Sequence, residues 1–259
     1  MPTTTATRTR TPTEVRAATA WLHVVARHGR TVVAGSRSGL PLGLRQLRSA
    51  PGDTALRVGL VQTGAMLVGG DDVHLDVDVG AGASLILRDI SATLAHPVAD
   101  GAPAARQHLR IRVADGGRAV IAEEPLVVAA GARLHRDVRI DLHGEARLLH
   151  RDTLVLGRYG EDGGTLVART RAVRDGAPVL DDTLDTSIEG PALRSAAVLG
   201  SARVLASLTA FGTDLTDALP ADGFALSPVD TLVRRLAAGV RELQDLNTLQ
   251  RAWQATVLG

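Results

Sequence analysis

The sequence contains no cysteine, and aromatic residues make up only 2% of it. The lack of cysteine excludes disulfide bonds, thiol catalysis and thiolate metal ligands, and it is in keeping with a cytoplasmic protein. The scarcity of aromatic side chains argues against a protein that stacks the bases of single-stranded nucleic acid. The formal net charge is only +1, so no long-range field would draw the chain to nucleic acid or to an anionic membrane.

The beginning of the chain also lacks a long hydrophobic run. Residues 1–13 are rich in threonine and arginine, which is typical neither of a secretory signal nor of a membrane span. We expect them to form a disordered tail. The remaining residues, 14–259, have a length that all-β proteins often use for one domain, and we predict a single β domain there.

The clearest local pattern lies in residues 69–87. From position 72 to position 79 polar and apolar residues alternate, and a period of two is typical of a strand with one buried and one wet face. Gly69, Gly70 and Asp71 precede the strand as a turn, and a second glycine turn leads from it into another apolar run. Taken alone, this unit indicates antiparallel β-structure.

Strand, glycine turn and strand recur along the chain without a fixed period. The alternation returns in residues 107–113 and again in residues 138–142, and glycine turns lie between these segments. We therefore predict a mainly β fold of stacked sheets, in a β-helix-like or sandwich arrangement. Apolar residues at helical spacing near the end of the chain predict one C-terminal helix at residues 240–256.

No catalytic or metal-binding motif stands out. The eight histidines are scattered without HExxH or similar spacing. His74 is one of the alternating residues predicted to face solvent, where a histidine is unremarkable. The sequence has no GxSxG, P-loop or GxGxxG motif, which argues against an enzyme. Three acids on the wet face are expected to pair with arginines of neighbouring strands. These acids are Asp72, Asp76 and Asp78, and the candidate partners are Arg110, Arg112 and Arg139.

Several short segments, in a fixed order along the chain, carry a family resemblance. They comprise a GGD turn before a strand, a polar pair before a later strand, an acid followed by proline, an acid followed by GR and GE, and a terminal segment with a tryptophan. The residues are Gly69, Gly70, Asp71, Arg106, Gln107, Glu124, Pro125, Asp152, Gly157, Arg158, Glu161 and Trp253. This set resembles the urease accessory protein family UreD, also called UreH.

The resemblance implies a non-enzymatic chaperone that binds apo-urease, recruits UreF-like and UreG-like partners and helps to pass nickel to the urease active site. Members of that family enclose a water-filled tunnel. Nickel in transit would meet weak and incomplete ligand sets, so neither a tight metal site nor a tightly bound cofactor is expected. The candidate ligands along such a path are Asp71, Glu124, Asp152 and Glu161. The resemblance also implies a strand to about residue 237, ahead of the helix.

The sequence departs from the family pattern at two places. Residues 88–97 replace a segment rich in threonine and glutamine, and Asp152 stands where glutamate is common. Two other functions stay open, a protein-binding β module without metal transit and, more weakly, a carbohydrate-active enzyme. A polar pore across the β-layers would favour the nickel carrier, whereas two carboxylates that converge in an open cleft would favour the enzyme.

Overall fold

The computed structural model describes residues 17–49, 53–64, 67–187, 195 and 198–259. Among these residues strands dominate and a single α-helix lies at the C-terminal end, which confirms the mainly β prediction. The tail predicted at residues 1–13 lies outside the described residues. The strands are β1 Ala17–Arg27, β2 Arg30–Arg37, β3 Leu42–Gln46, β4 Leu56–Gln62, β5 Asp72–Val79, β6 Ser84–Asp89, β7 Thr93–Ala95, β8 Ala105–Val113, β9 Arg118–Ala122, β10 Leu126–Val128, β11 Arg133–Leu142, β12 Arg147–Leu156, β13 Thr165–Arg174, β14 Ala177–Asp185, β15 Val204–Phe211, β16 Phe224–Ser227 and β17 Asp230–Ala237; the helix is α1 Gln244–Leu258.

Two sheets face each other, and the chain passes between them repeatedly. Sheet A has the order β14-β13-β11-β8-β5-β1-β2, and sheet B has the main order β16-β17-β15-β12-β9-β6-β4-β3. Between β4 and β13, each long strand pairs in parallel with the preceding strand of its own sheet. The short strand β10 pairs in parallel with β12, and β7 pairs in parallel with β10. These two short strands form a third side of the stack. This winding produces the solenoid-like stack.

The antiparallel pairing indicated for residues 69–87 is wrong. The strands β5 and β6 lie in different sheets, and each has parallel neighbours. The glycine turn between them carries the chain across the core instead of folding it back beside itself, with Gly82 in the left-handed region at φ +64°. Alternation along one strand defines its two faces, but it does not define which strand lies beside it.

The main core lies between the two sheets. In sheet A the buried parity of β5 is in register with that of β8, so that Leu75 lies opposite Leu109 and Val77 opposite Ile111. Aliphatic side chains from sheet B, including Leu85 and Leu148, complete the same cluster. The polar parity of β5 stays on the outer face of sheet A, as the alternation predicts.

The C-terminal helix covers the outer face of sheet B. Its buried residues Leu246, Trp253 and Val257 pack with Val120 and Leu149 of the sheet. The strand before it ends at Ala237, close to the expected position. The helix itself is shifted from the predicted range 240–256, since it begins at Gln244 and ends at Leu258.

Residues Val240–Glu242 form a 3₁₀ turn, and the α-helix spans Gln244–Leu258. Hydrogen bonds to residues three positions earlier tighten the first turn, from Glu242 N to Gly239 O and from Leu243 N to Val240 O. Leu243 is thereby buried against sheet B before the α-helix begins. Among the described residues, no helix has the length and apolar character needed to cross a membrane.

Candidate functional site

A buried ionic cluster lies between the sheets, centred on Arg136 of β11. The Arg136 side chain is only 1% exposed. Its Nη2 donates to both carboxylate oxygens of Glu123, at 2.7 and 2.8 Å, and lies 3.4 Å from Asp152 Oδ1. Its Nη1 donates to Gln107 Oε1, and His150 Nε2 lies 2.9 Å from Glu123 Oε1. The described residues thus bring an arginine, two acids, a histidine and an amide together inside the β-stack.

The strands place these groups by simple alternation. Arg136 occupies the inward parity of β11, between the buried Leu134 and Val138. On β12 the even-numbered residues face sheet A, since Leu148 and Leu154 belong to the core between the sheets, and His150 and Asp152 share that parity. A fully buried arginine is rare unless it is paired, because removing one charge from water costs several kcal/mol.

The carboxyl groups of the cluster differ in ionisation. Burial opposes the charge of Glu123, but Arg136 and His150 outweigh that effect and hold the pKa of Glu123 well below its ordinary value. Burial raises the pKa of Asp152, although Arg136 acts in the opposite direction. Burial and the nearby Glu123 charge raise the pKa of Asp89 to about 8. At neutral pH, Glu123 is therefore the ionised partner of Arg136, and Asp89 retains its proton.

Two cavities reach the cluster. One, of about 30 Å³, is lined by Asp89, Gln107 and Glu123, by Thr93 and His108, and by aliphatic residues of both sheets, and it has room for about one or two water molecules. The other, of about 330 Å³, is lined by His150, Asp152 and polar residues of β13, β14, β15 and β17. Arg136 contacts residues that line both cavities, since it binds Gln107 and Glu123 as well as Asp152.

The raised pKa of Asp89 predicts a pH-dependent stability. The folded state holds this proton more tightly than the unfolded chain does, so the contribution is complete below the unfolded pKa of about 4 and is lost as pH rises through about 8. We expect the free energy of unfolding to be about 2–3 kcal/mol lower at pH 8.5 than at pH 6 from this group. Denaturant unfolding should show that Asp89→Asn flattens this pH dependence. An unchanged pH profile in the variant would contradict the assignment.

Of the acids proposed from the sequence, only Asp152 enters this cluster. Gln107, from the polar pair, enters it as well, whereas the neighbouring Arg106 is exposed on the outer face. Glu124 points away from the cluster and lines a surface cavity of about 300 Å³ beside the C-terminal helix, together with Pro125 and Arg151. The adjacent Glu123 is the acid that turns inward.

Asp71 closes the GGD turn. Its side chain is buried, its Oδ2 accepts a hydrogen bond from Val68 N at 3.0 Å, and its carbonyl accepts one from Arg106 N at 2.7 Å. Gly70 has φ +83°, a left-handed conformation that side chains disfavour. A Cβ on Gly69 would lie 2.7 Å from Val98 Cγ1. The motif thus connects the entry of β5 to that of β8.

Glu161 stabilises its own loop. Its Oε1 accepts from Arg158 N at 2.9 Å and Nε at 2.8 Å, and its Oε2 accepts from Arg158 Nη2 at 2.9 Å. Ala130 N also donates to Oε1, at 3.3 Å. The Arg158 bonds lower the pKa of Glu161 to about 2. Gly157, at φ +87°, lets the chain turn where a Cβ would lie 2.5 Å from Glu161 O.

The sequence motifs do not include Glu123, Arg136, His150 or Asp89. One signal was available for Arg136, which interrupts the apolar parity Leu134, Val138 of a regularly alternating strand. A charge on a core parity indicates a buried partner. The partners themselves lie 13 to 29 residues away along the chain, on β8 and just after β9, and their proximity depends on the register of the strands.

The described residues define a class of protein, a solenoid-like β-scaffold whose polar centre is a charged cluster enclosed between its sheets. The chain matches the family model for the UreD urease accessory protein over residues 16–258. The chain therefore belongs to the UreD family of urease accessory proteins, as the sequence motifs indicated.

Curated relatives agree with this membership. The chain is 41% identical over 218 residues to urease accessory protein UreD 1 of Saccharopolyspora erythraea, with 82% of this chain and 84% of the relative covered. It is 45% identical over 159 residues to UreD 1 of Streptomyces griseus, with 61% of each protein covered. It is 34% identical over 233 residues to UreD of Frankia alni, with 76% and 78% covered.

Proposed function

We propose that this protein acts in the maturation of urease as a non-catalytic chaperone of the cytoplasm. In this proposal it binds apo-urease together with UreF-like and UreG-like partners and passes nickel towards the urease active site. Family membership supports the connection with urease. The observation that carries the nickel step is the enclosed Arg136 cluster, where carboxylate and imidazole donors meet between two cavities.

The donors of the cluster suit an ion that passes through. Glu123, Asp152 and His150 offer oxygen and nitrogen atoms to a divalent cation. The guanidinium of Arg136 already pairs with both acids, so an arriving ion competes with it for the same oxygens and is held weakly. Metal ligands must be deprotonated. Asp89 holds a proton because its pKa is raised, and in this proposal an arriving cation displaces that proton.

An enclosed cluster also favours the nickel carrier over the carbohydrate-active enzyme. The carboxylates of Glu123 and Asp152 do converge, but both form ion pairs with Arg136. Their side chains are only 15% and 14% exposed. A glycosidase needs an acid that can protonate a bound sugar in an open cleft. The pair in this protein faces an arginine instead.

The test is the nickel content of urease produced with a variant of this protein. We expect Asp152→Asn to lower nickel per urease several-fold while the amount of accessory complex bound to urease stays at the wild-type level, because the amide keeps the shape of the side chain but is a poorer metal ligand. Asp181→Asn is the matched control, since Asp181 is half exposed and pairs with Arg169 outside the cluster.

The same assay sorts the other acids. A variant of Asp71, Glu124 or Glu161 that lowers nickel per bound complex places that residue on the route. One that lowers nickel only in proportion to lost complex has a structural effect, which we expect for Glu161→Gln because its carboxylate orders the loop. If Asp152→Asn leaves the nickel content at the level of Asp181→Asn, the route through the cluster is wrong.

A further inference from the structure

A second group of metal-ligating side chains lies on the outer face of sheet A. Asp72 and His74 are two residues apart on β5, and His108 lies directly opposite His74 on β8. One donor atom from each of the three lies within 4.8 Å of the others. The two imidazole rings stack with centroids 4.4 Å apart and planes inclined by 16°. The three side chains are 28 to 39% exposed, so solvent reaches the group.

The carboxylate of Asp72 differs from three other acids of this face. Asp78, Asp137 and Asp141 each form an ion pair with an arginine, namely Arg112, Arg139 and Arg110. The expectation that Asp72 pairs with such an arginine is wrong. Its Oδ1 lies 2.9 Å from His74 Nε2 and 3.3 Å from His108 Nε2. Two ring nitrogens on different strands therefore converge on one carboxylate oxygen.

That oxygen lacks a hydrogen-bond donor within the described part of the chain. Asp72 Oδ1 is shut off from solvent and has no hydrogen bond of acceptable geometry within the described part of the chain, although the two nitrogens are near it. A buried acceptor left unsatisfied destabilises the folded state. A cation coordinated by this oxygen and by the two ring nitrogens would remove that destabilisation. Donors around one such ion lie about 3–4 Å apart when each bond is about 2.1 Å.

We infer that Asp72, His74 and His108 form an exchangeable site for a divalent transition-metal ion on the outer face of sheet A. Two imidazoles and one carboxylate select an ion such as Ni²⁺ or Zn²⁺ over Mg²⁺ or Ca²⁺, which prefer oxygen ligands. Three protein ligands leave positions for water, and partial exposure lets the ion leave.

The site is separate from the Arg136 cluster. His108 follows Gln107 on β8, and successive side chains of a strand point to opposite faces. Gln107 reaches Arg136 between the sheets, whereas His108 lies on the outer face with Asp72 and Asp137. The outer site thus lies behind the cluster across one layer of sheet A, and binding there is measurable without urease.

The experiment is calorimetric titration of the full chain with Ni²⁺ and, separately, with Zn²⁺. We expect His108→Phe, which keeps a flat ring against His74 but has no ligating nitrogen, to weaken binding at this site at least tenfold, and we expect His74→Phe to do the same. His143→Phe is the control, because His143 is exposed beside Asp175 but is not stacked on another histidine. Asp152→Asn should leave this site unchanged, so failure of the outer site and failure of the cluster route appear in different assays.

Cu²⁺ bound to the wild-type chain provides a second measurement that does not depend on variant folding. Electron paramagnetic resonance should show two nitrogen ligands, one of which disappears in His108→Phe. The inference is overturned if the wild-type signal shows no paired nitrogen ligation. It is also overturned if the two histidine variants and His143→Phe bind Ni²⁺ and Zn²⁺ as tightly as the wild type.

Discussion

Replacing Arg136 by alanine is expected to lower the free energy of unfolding by about 3–5 kcal/mol, because it leaves the buried carboxylate of Glu123 without its cation. Such a loss is a large part of the total stability of about 5–15 kcal/mol that is usual for a folded domain. The large effect is expected because this ion pair is buried, since an exposed ion pair would contribute far less. The Arg136 side chain is 1% exposed and that of Glu123 15%.

Arg139→Ala is the matched control on the same strand. Arg139 also binds an acid, Asp137, at 2.8 Å, but its side chain is 59% exposed, and exposed pairs contribute about 0–1 kcal/mol. Denaturant unfolding followed by far-ultraviolet circular dichroism measures both variants. Adding Glu123→Gln to Arg136→Ala should recover part of the loss, since no unpaired charge then stays buried. Equal effects of Arg136→Ala and Arg139→Ala would show that the cluster does not stabilise the fold.

Replacing Trp253 by alanine is expected to cost about 3–5 kcal/mol, the usual range for an aromatic residue removed from a core. Trp253 is 1% exposed and belongs to the cluster that joins the helix α1 to sheet B. The helix carries Gln250, whose Oε1 accepts from Arg151 Nη1 at 2.7 Å. Loss of the tryptophan should therefore loosen the wall of the cavity that Glu124 lines.

Trp253→Phe separates packing from hydrogen bonding. The indole Nε1 is buried without a hydrogen-bond partner among the described residues, so phenylalanine loses some contact area but also removes an unsatisfied donor. We expect it to cost less than half as much as Trp253→Ala in thermal or denaturant unfolding. Thr256→Ala, on the exposed side of the helix, should change stability by about 0.5 kcal/mol or less. Similar losses for Trp253→Ala and Thr256→Ala would mean that the helix is not anchored by its tryptophan.

The two sites of this protein differ in how far the sequence anticipates them. Alternation predicts the wet face of β5 and so the exposure of His74, and the family motif contains Asp152 and Gln107. The meeting of His74 with His108, and of Arg136 with Gln107, follows from the parallel register of β5, β8 and β11. The motif contains Glu124, yet its neighbour Glu123 faces the core, because Glu123 continues the inward parity of Ala119 and Ile121 on β9.

The features that follow from the amino-acid sequence are local. Its period of two makes strands with distinct faces, its glycines make the crossings between sheets, and its apolar stripe with Trp253 makes the C-terminal helix; all three depend on near neighbours along the chain. The tertiary structure alone decided which strands lie side by side, and with them the Arg136 cluster and the Asp72, His74, His108 group. Contacts between residues 13 to 34 positions apart depend on the register of whole strands, and a shift of one residue would turn every one of these side chains to the opposite face.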